Sequence, residues 1–258
     1  MAEAVIASAV RTAIGTYGGA LAEVSPIELG QRVIGSALRR AKVEPPAVDE
    51  VIMGMIYQSG QGPNPARQAA VSAGLPYSVP AMTVNKLCGS GLKAVALAAA
   101  SVRSGEADAV VAGGMESMSR VPYGLSQSRW GQKMGHGQVT DLMILDGLWD
   151  SFYDCHMGTT AENLAEEHSI SRQDQDRYAM QSQERYAAAQ AQGRFHDEID
   201  SVEVPQRKGD PLAIDVDEHP RNDVTMEQLA KLPAVFKEEG TVHAGNASGV
   251  TDGAAAVL

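Results

Sequence analysis

The chain has 258 residues, 44% of them hydrophobic and 21% charged, a globular composition that excludes a disordered or fibrous protein. Its 21 basic and 32 acidic side chains leave a formal charge of −11, which argues against nucleic-acid binding. Two cysteines, Cys88 and Cys155, cannot make a disulfide framework, no apolar run approaches the roughly 18 residues of a membrane span, and the Met-Ala-Glu-Ala start lacks a basic segment, so a soluble cytoplasmic protein is expected.

The first part of the chain alternates short apolar runs with helical patterns. Ala4–Val10 reads as a strand, and Pro26–Lys42 as a helix with Ile27, Val33, Ile34 and Leu38 near helical spacing and Pro45-Pro46 at its exit. Val51–Ile56 is a second strand, Pro65–Ala73 a short helix closed by Gly74, and Ala81–Asn85 a third strand. A helix follows from about Gly89 to Arg103 with Gly105 as its stop, then a strand Ala109–Ala112 that ends at Gly113-Gly114. Strands alternating with helices predict a mostly parallel sheet covered on both faces.

From Ser119 to about Asp154 the chain is rich in Gly, Ser, Met and Gln, and only short helices are expected. Thr159-Thr160-Ala161-Glu162 has capping-box form and opens a helix through about His168. Ser171 caps a longer helix to about Gln192, with Tyr178, Ser182, Tyr186 and Ala189 on one face. Val202–Val204 and Leu212–Val216 are weak strands around the basic turn Arg207-Lys208-Gly209. Ala254–Leu258 reads as the start of a buried strand, and a ladder broken off there suggests a longer protein. Charge divides the same way. Residues 1–118 carry nine basic and nine acidic side chains, whereas 119–258 carry twelve and twenty-three, which puts a boundary near Ser119.

The chemistry concentrates in Asn85-Lys86-Leu87-Cys88-Gly89-Ser90-Gly91-Leu92-Lys93. A cysteine at a strand-to-helix turn faces the unpaired N–H groups and the positive end of the helix dipole, which favours the thiolate. The same N–H groups can hold an oxyanion formed when sulfur attacks a carbonyl, as in a nucleophile elbow. Two alternatives share these residues: an inert buried cysteine under a glycine turn, and a loose dinucleotide fingerprint, Gly89-x-Gly91-x-x-Ala94. The fingerprint follows the third strand rather than the first, and no acid appears at the expected interval before Glu116. No metal site is expected, since no two of the six histidines are spaced i, i+4 and neither cysteine has a partner at ligand spacing.

Four segments, NKLCGSGLKAV (85–95), AGGMESMS (112–119), YDCHMGTTAEN (153–163) and AGNASGVTDGAAA (244–256), together resemble the thiolases, as do Arg11-Thr12-Ala13-Ile14-Gly15 and Gly193-Arg194-Phe195. The resemblance implies an α/β fold of the thiolase type, a layered fold with a mostly parallel mixed sheet covered by helices. Residues 1–119 and 248–258 would form the N-terminal core domain, and 120–247 an inserted α+β loop domain that binds coenzyme A. The C-terminal core domain, with its Gly-His-Pro and Cys-x-Gly segments, has no counterpart in the sequence.

The resemblance also assigns roles. Cys88 would take an acetyl group from acetyl-CoA and pass it to a second acetyl-CoA, giving acetoacetyl-CoA and CoA, or run the reverse thiolysis. Leu148, His156, Met157, Arg221, Phe236, Ala244 and Ser248 match the family's CoA contacts, with Arg221 at the nucleotide end and His156, Met157 and Phe236 along the pantetheine. Gln228 stands where many members have serine. The Cys-His-Met-Gly string points to acetyl-CoA acetyltransferases; a degradative 3-ketoacyl-CoA thiolase of broader chain length, a non-catalytic acyl-CoA binding protein and a ketoacyl synthase relative are the alternatives, the last disfavoured by the inserted domain. No cofactor is implied beyond coenzyme A thioesters as substrates. A dimer or tetramer is expected, because 121–140 resembles the family's tetramer-forming loop. The family's activating histidine and base cysteine match no residue of 1–258, so the chain alone is expected not to complete a turnover.

Overall fold

The computed structural model describes residues 3–258. In chain order its strands are β1 (Ala9–Arg11), β2 (Gly15–Thr16), β3 (Glu50–Gly54), β4 (Ala81–Val84), β5 (Val110–Ser117), β6 (Tyr123–Gly124), β7 (Thr140–Asp141), β8 (Trp149–Asp150), β9 (Cys155–His156), β10 (Val202–Val204), β11 (Leu212–Ile214) and β12 (Thr251–Val257). Its α-helices are α1 (Pro26–Ala41), α2 (Pro65–Ser72), α3 (Ser90–Ser104), α4 (Met157–Glu167), α5 (Arg172–Ala191) and α6 (Met226–Ala230). None of them is long and apolar enough to cross a membrane. The chain divides into two compact units: residues up to 142 with 198–218 and 251–258, and residues 143–197 with 219–250.

The first unit is a mixed sheet in the order β1-β12-β5-β3-β4, with β2 also on β12. Parallel pairing is confined to β4-β3-β5, as the intervening helices α2 and α3 require, and β12 runs antiparallel to β5 and to β1. Side chains alternate across the sheet. Val51 and Met53 of β3 and Val111 and Met115 of β5 join α1 and α2 in one core, whereas Ile52, Val110 and Ala112 pack with Ala94 and Ala98 of α3 on the other face. Helix α1 starts on a capping box in which Ser25 and Glu28 satisfy each other's backbone N–H groups, with Pro26 in the first turn.

Four expectations change here. The first strand is Ala9–Arg11 rather than Ala4–Val10; Val5 and Ile6 lie exposed, so their apolar character was not a sign of burial. Strand β5 continues through Gly113-Gly114 to Ser117, because the two glycines serve close approach rather than a stop: a Cβ on Gly113 would lie 2.0 Å from the Ala255 carbonyl oxygen of β12. The last strand begins at Thr251 rather than Ala254, paired with β5 over residues 252–257 and with β1 over 255–257. Residues 198–218 group with the sheet rather than with the inserted segment. Val202, Val204 and Ile214 enter the main core, and Arg11 grips Asp217 through two nitrogens at 2.6 and 2.9 Å and Glu198 at 2.6 Å. Residues 120–142 also group with the first unit, and 248–250 with the second.

The second unit holds α4, α5, α6, the β8–β9 pair and a π-helical turn at Ile144–Leu148. Helix α4 starts at Met157, not Thr159. His156 caps it, with Nδ1 accepting from the Gly158 N–H at 3.0 Å. Glu162, expected to close a capping box, is instead buried and accepts from the N–H groups of Thr241 and Val242 at 2.7–2.9 Å. Helix α5 turns a polar face inward: Asp176 is buried, Gln183 accepts from the Arg221 N–H at 2.8 Å and Gln190 from the Asn222 amide at 3.0 Å. Tyr178 and Ser182 therefore face solvent, because hydrogen bonding rather than apolar spacing set this helix's rotation.

Candidate active site

Cys88 is exposed, at the turn joining β4 to α3. Leu87, just before it, has φ of 47°, a left-handed conformation that costs a non-glycine residue energy and marks a constrained site. Short side chains compensate. The Asn85 amide oxygen accepts from the Leu87 N–H at 2.9 Å, while the Ser90 hydroxyl accepts from the Lys86 N–H at 2.8 Å and donates to the Leu87 carbonyl at 2.6 Å. The first helical bond of α3 runs from the Lys93 N–H to the Gly89 carbonyl at 2.9 Å, so the N–H groups of Gly91 and Leu92 lack intrahelical acceptors. A thiol presented at such a terminus has donors at hand for an oxyanion. The exposure of Cys88 excludes the inert-core reading.

The helix terminus rests directly on the sheet. Gly54, the last residue of β3, meets the backbone of Ser90 and Gly91, and a Cβ there would lie 2.4 Å from the Ser90 carbonyl carbon. Beside this contact lies a cavity of about 310 Å³, lined by Cys88, Leu87, Gly91, Ile56, Glu116 and Gly253 among others. Glu116 is half-buried and accepts from the N–H groups of Ile56 at 2.7 Å and Tyr57 at 3.3 Å. Burial pushes its carboxyl up to about 7; the two N–H groups oppose this, and the charge of Asp252 adds to it. Sequence reasoning gave Asn85, Ser90 and Glu116 no roles. An acid inside the otherwise apolar strand β5 was the available signal for Glu116.

The shift of Glu116 has a consequence for stability. Between its unfolded value of 4.5 and about 7 the folded state holds a proton that the unfolded state has released. Stability is then fully present below pH 4.5 and declines as pH rises toward 7. Thermal melts across this window should show that decline in the wild type and a flatter profile in Glu116→Gln. Equal slopes in the two proteins would mean that Glu116 titrates normally.

The other residues singled out from the sequence all lie in the second unit. His156 stacks on Phe236 with ring centroids 4.8 Å apart, and Met157 follows in the first turn of α4. Gly158 leaves room for the ring, since a Cβ there would lie 2.3 Å from Phe236. Leu148 is half-buried at the end of the π-helical turn, whereas Arg221, Ala244 and Ser248 are exposed. The Arg221 guanidinium donates to the carbonyls of His219 and Pro220 at 3.1 and 3.3 Å. Gln228 is engaged in a capping box, its side chain accepting from the Thr225 N–H at 2.8 Å. The loop carrying Ala244 is fastened by His243, whose Nδ1 accepts from the Gly245 N–H at 3.0 Å and whose Nε2 donates to Asp176 at 2.7 Å.

Known proteins resemble this chain along its length. The family model for the thiolase N-terminal domain matches residues 4–258. The acetyl-CoA acetyltransferase of Pseudomonas aeruginosa is 53% identical over 258 residues, covering 100% of this chain and 66% of that protein. That of Cupriavidus necator is 54% identical with the same coverage. The crystal structure of the Bacillus anthracis acetyl-CoA acetyltransferase superposes with a TM-score of 0.96 at 43% identity, covering 100% of this chain and 65% of that one. The chain thus spans about two thirds of the length of these relatives. On the family match and the shared fold, the chain belongs to the thiolase family.

Proposed function

We propose that the protein is an acetyl-CoA C-acetyltransferase in which Cys88 carries the acetyl group. The Cys88 thiolate attacks the carbonyl of acetyl-CoA, a Cys88 S–C bond forms, and the bond from carbonyl carbon to CoA sulfur breaks, releasing the CoA thiolate to take up a proton. The thioester formed is nearly isoenergetic with the one consumed, so the step runs both ways. A second acetyl-CoA, its Cα proton taken by a base that residues 1–258 do not supply, then attacks the acetyl carbonyl; the Cα–C bond forms, the Cys88 S–C bond breaks, and acetoacetyl-CoA leaves with the Cys88 thiolate restored. The observation that carries this reading is the exposed thiol beside a strained Leu87, at a helix start whose Gly91 and Leu92 N–H groups lack intrahelical acceptors.

In the same reading Leu148, His156, Met157, Arg221, Phe236, Ala244 and Ser248 contact coenzyme A, and the stacked His156–Phe236 pair supports an apolar wall for the pantetheine. No further cofactor takes part. The protein acts in the cytoplasm as a dimer or tetramer; the exposed Trp130 and Met134 within 121–140 support self-association. In this reading its partners are coenzyme A thioesters, with no part for nucleic acid or membrane.

Incubation with acetyl-CoA followed by mass spectrometry tests the first half-reaction. A single acetyl group should appear on Cys88, be absent in Cys88→Ala, and leave again when CoA is added. Because the family's histidine and base cysteine match nothing in 1–258, no acetoacetyl-CoA should accumulate from this chain alone. Acetylation at Cys155 in place of Cys88, or none at all, would refute the assignment.

A further inference from the structure

Cys88 and Glu116 are the two ionisable side chains that line the cavity at the α3 terminus. A set of hydrogen bonds runs from Glu116 to Leu87, the residue before Cys88. The Glu116 carboxylate holds the Ile56 and Tyr57 N–H groups where the chain leaves β3, at 2.7 and 3.3 Å. The Ile56 carbonyl accepts from the Asn85 amide nitrogen at 3.4 Å, a long contact. The Asn85 amide oxygen accepts from the Leu87 N–H at 2.9 Å, which stabilises the left-handed residue on which Cys88 is mounted. Among the described residues the charge that raises the Glu116 carboxyl is that of Asp252 of β12, itself held by the N–H and hydroxyl of Ser119 at 2.9 and 2.6 Å.

We propose that Glu116 and Asn85 are positioning residues that set the presentation of the Cys88 thiol through the Ile56–Tyr57 backbone and the left-handed Leu87. Neither touches the reacting carbonyl. Without the carboxylate, two N–H groups at the exit of β3 lose their acceptor, the Ile56 carbonyl is free to turn, and Asn85 loses the contact that aims its oxygen at Leu87. An apolar residue at 116 would pack equally well in the cavity but could not accept those bonds. Because the Glu116 carboxyl titrates at about 7, the strength of its hold on the loop changes within the range where thiol reactivity is measured.

The inference rests on Cys88 being the nucleophile, and alkylation by iodoacetamide tests it without coenzyme A. Asn85→Ala and Glu116→Ala should each slow labelling of Cys88 about tenfold, the scale of a sub-ångström misplacement of a reacting group. Cys155, in the other unit, should keep its rate. The double variant should be no slower than either single one, since both break the same chain of bonds. Glu116→Gln retains a carbonyl acceptor and should stay within about twofold at pH 6, while losing the inflection near pH 7 expected of the wild-type rate profile. Rates within about twofold of wild type in both alanine variants, or losses that multiply in the double variant, would overturn the proposal. Should Glu116→Ala fail to fold, the pH profile decides: an inflection kept in Glu116→Gln is equally fatal. A chain that follows this pattern yet accepts no acetyl group sinks the acyltransferase reading and leaves the positioning intact; one that accepts acetyl but ignores both substitutions does the reverse.

Discussion

Gly54→Ala is expected to destabilise the first unit by about 3 kcal/mol and to slow alkylation of Cys88 about a hundredfold. The added methyl would stand 2.4 Å from the Ser90 carbonyl carbon, 2.5 Å from the Gly91 nitrogen and 2.7 Å from the Ser90 oxygen. All three are backbone atoms, so no side chain can swing aside to relieve the contact. Ordinary van der Waals separation begins near 3.4 Å, so the start of α3 must retreat by about 1 Å from β3. That retreat carries with it the Cys88 thiol and the Gly91 and Leu92 N–H groups. The same methyl therefore affects both stability and chemistry, by one displacement. Urea unfolding measures the first and timed labelling with iodoacetamide the second. A variant with wild-type midpoint and wild-type labelling would show that the helix does not rest on Gly54.

The layered sheet was legible because its core strands and helices obey local rules. Val51 and Met53 alternate with Ile52, Ser25 and Pro26 start α1 by capping chemistry, and Gly105 ends α3 in a left-handed conformation. Cys88 was legible for the same reason, since a cysteine between a strand and Gly89-Ser90-Gly91 has few structural solutions. What escaped notice depends on partners distant in sequence. Glu162 would close a plausible capping box begun by Thr159, but its carboxylate goes to Thr241 and Val242, about eighty positions away. Gly113 looks like a strand terminator until Ala255 of β12 is set against it. Residues 202–216 lie within the acidic part of the sequence yet belong with the sheet, because Val202, Val204 and Ile214 enter its core and the adjoining Asp217 meets Arg11. The supports of Cys88 were hidden likewise: Ile56 and Glu116 are sixty residues apart and meet through β3–β5 pairing.

Asp176→Ala should cost the second unit about 3–5 kcal/mol, more than any truncation of an apolar side chain there. Among the described residues its buried apolar side chains are Ala165, Leu229 and Val242, too little surface to hold three helices by hydrophobic burial alone. Asp176 takes over that task. One oxygen accepts from the His243 Nε2–H at 2.7 Å and the Asn246 amide at 3.0 Å, and the other from the Arg172 Nε–H at 2.9 Å. Arg172 in turn donates to the carbonyls of Leu229 and Leu232 at 2.6 and 3.0 Å. Since His243 Nδ1 accepts from the Gly245 N–H, its Nε2–H is the donor to Asp176, while Arg172 brings a permanent charge. Burial disfavours the ionised carboxylate, but the hydrogen bonds from His243 and Arg172 outweigh it and hold the Asp176 carboxyl below its ordinary range. Its contribution is therefore present above pH 3.8 and lost as pH falls below that value. Truncation removes the carboxylate partner of Arg172, strands a buried imidazole N–H and releases the loop carrying Ala244, so amide exchange over 241–247 should accelerate by two orders of magnitude or more (about 1.4 kcal/mol per factor of ten). Amides of β3 and β5 supply the reference. Protection of 241–247 that survives the substitution would mean that the loop is held by its own turns, and that Asp176 merely occupies the space beneath it.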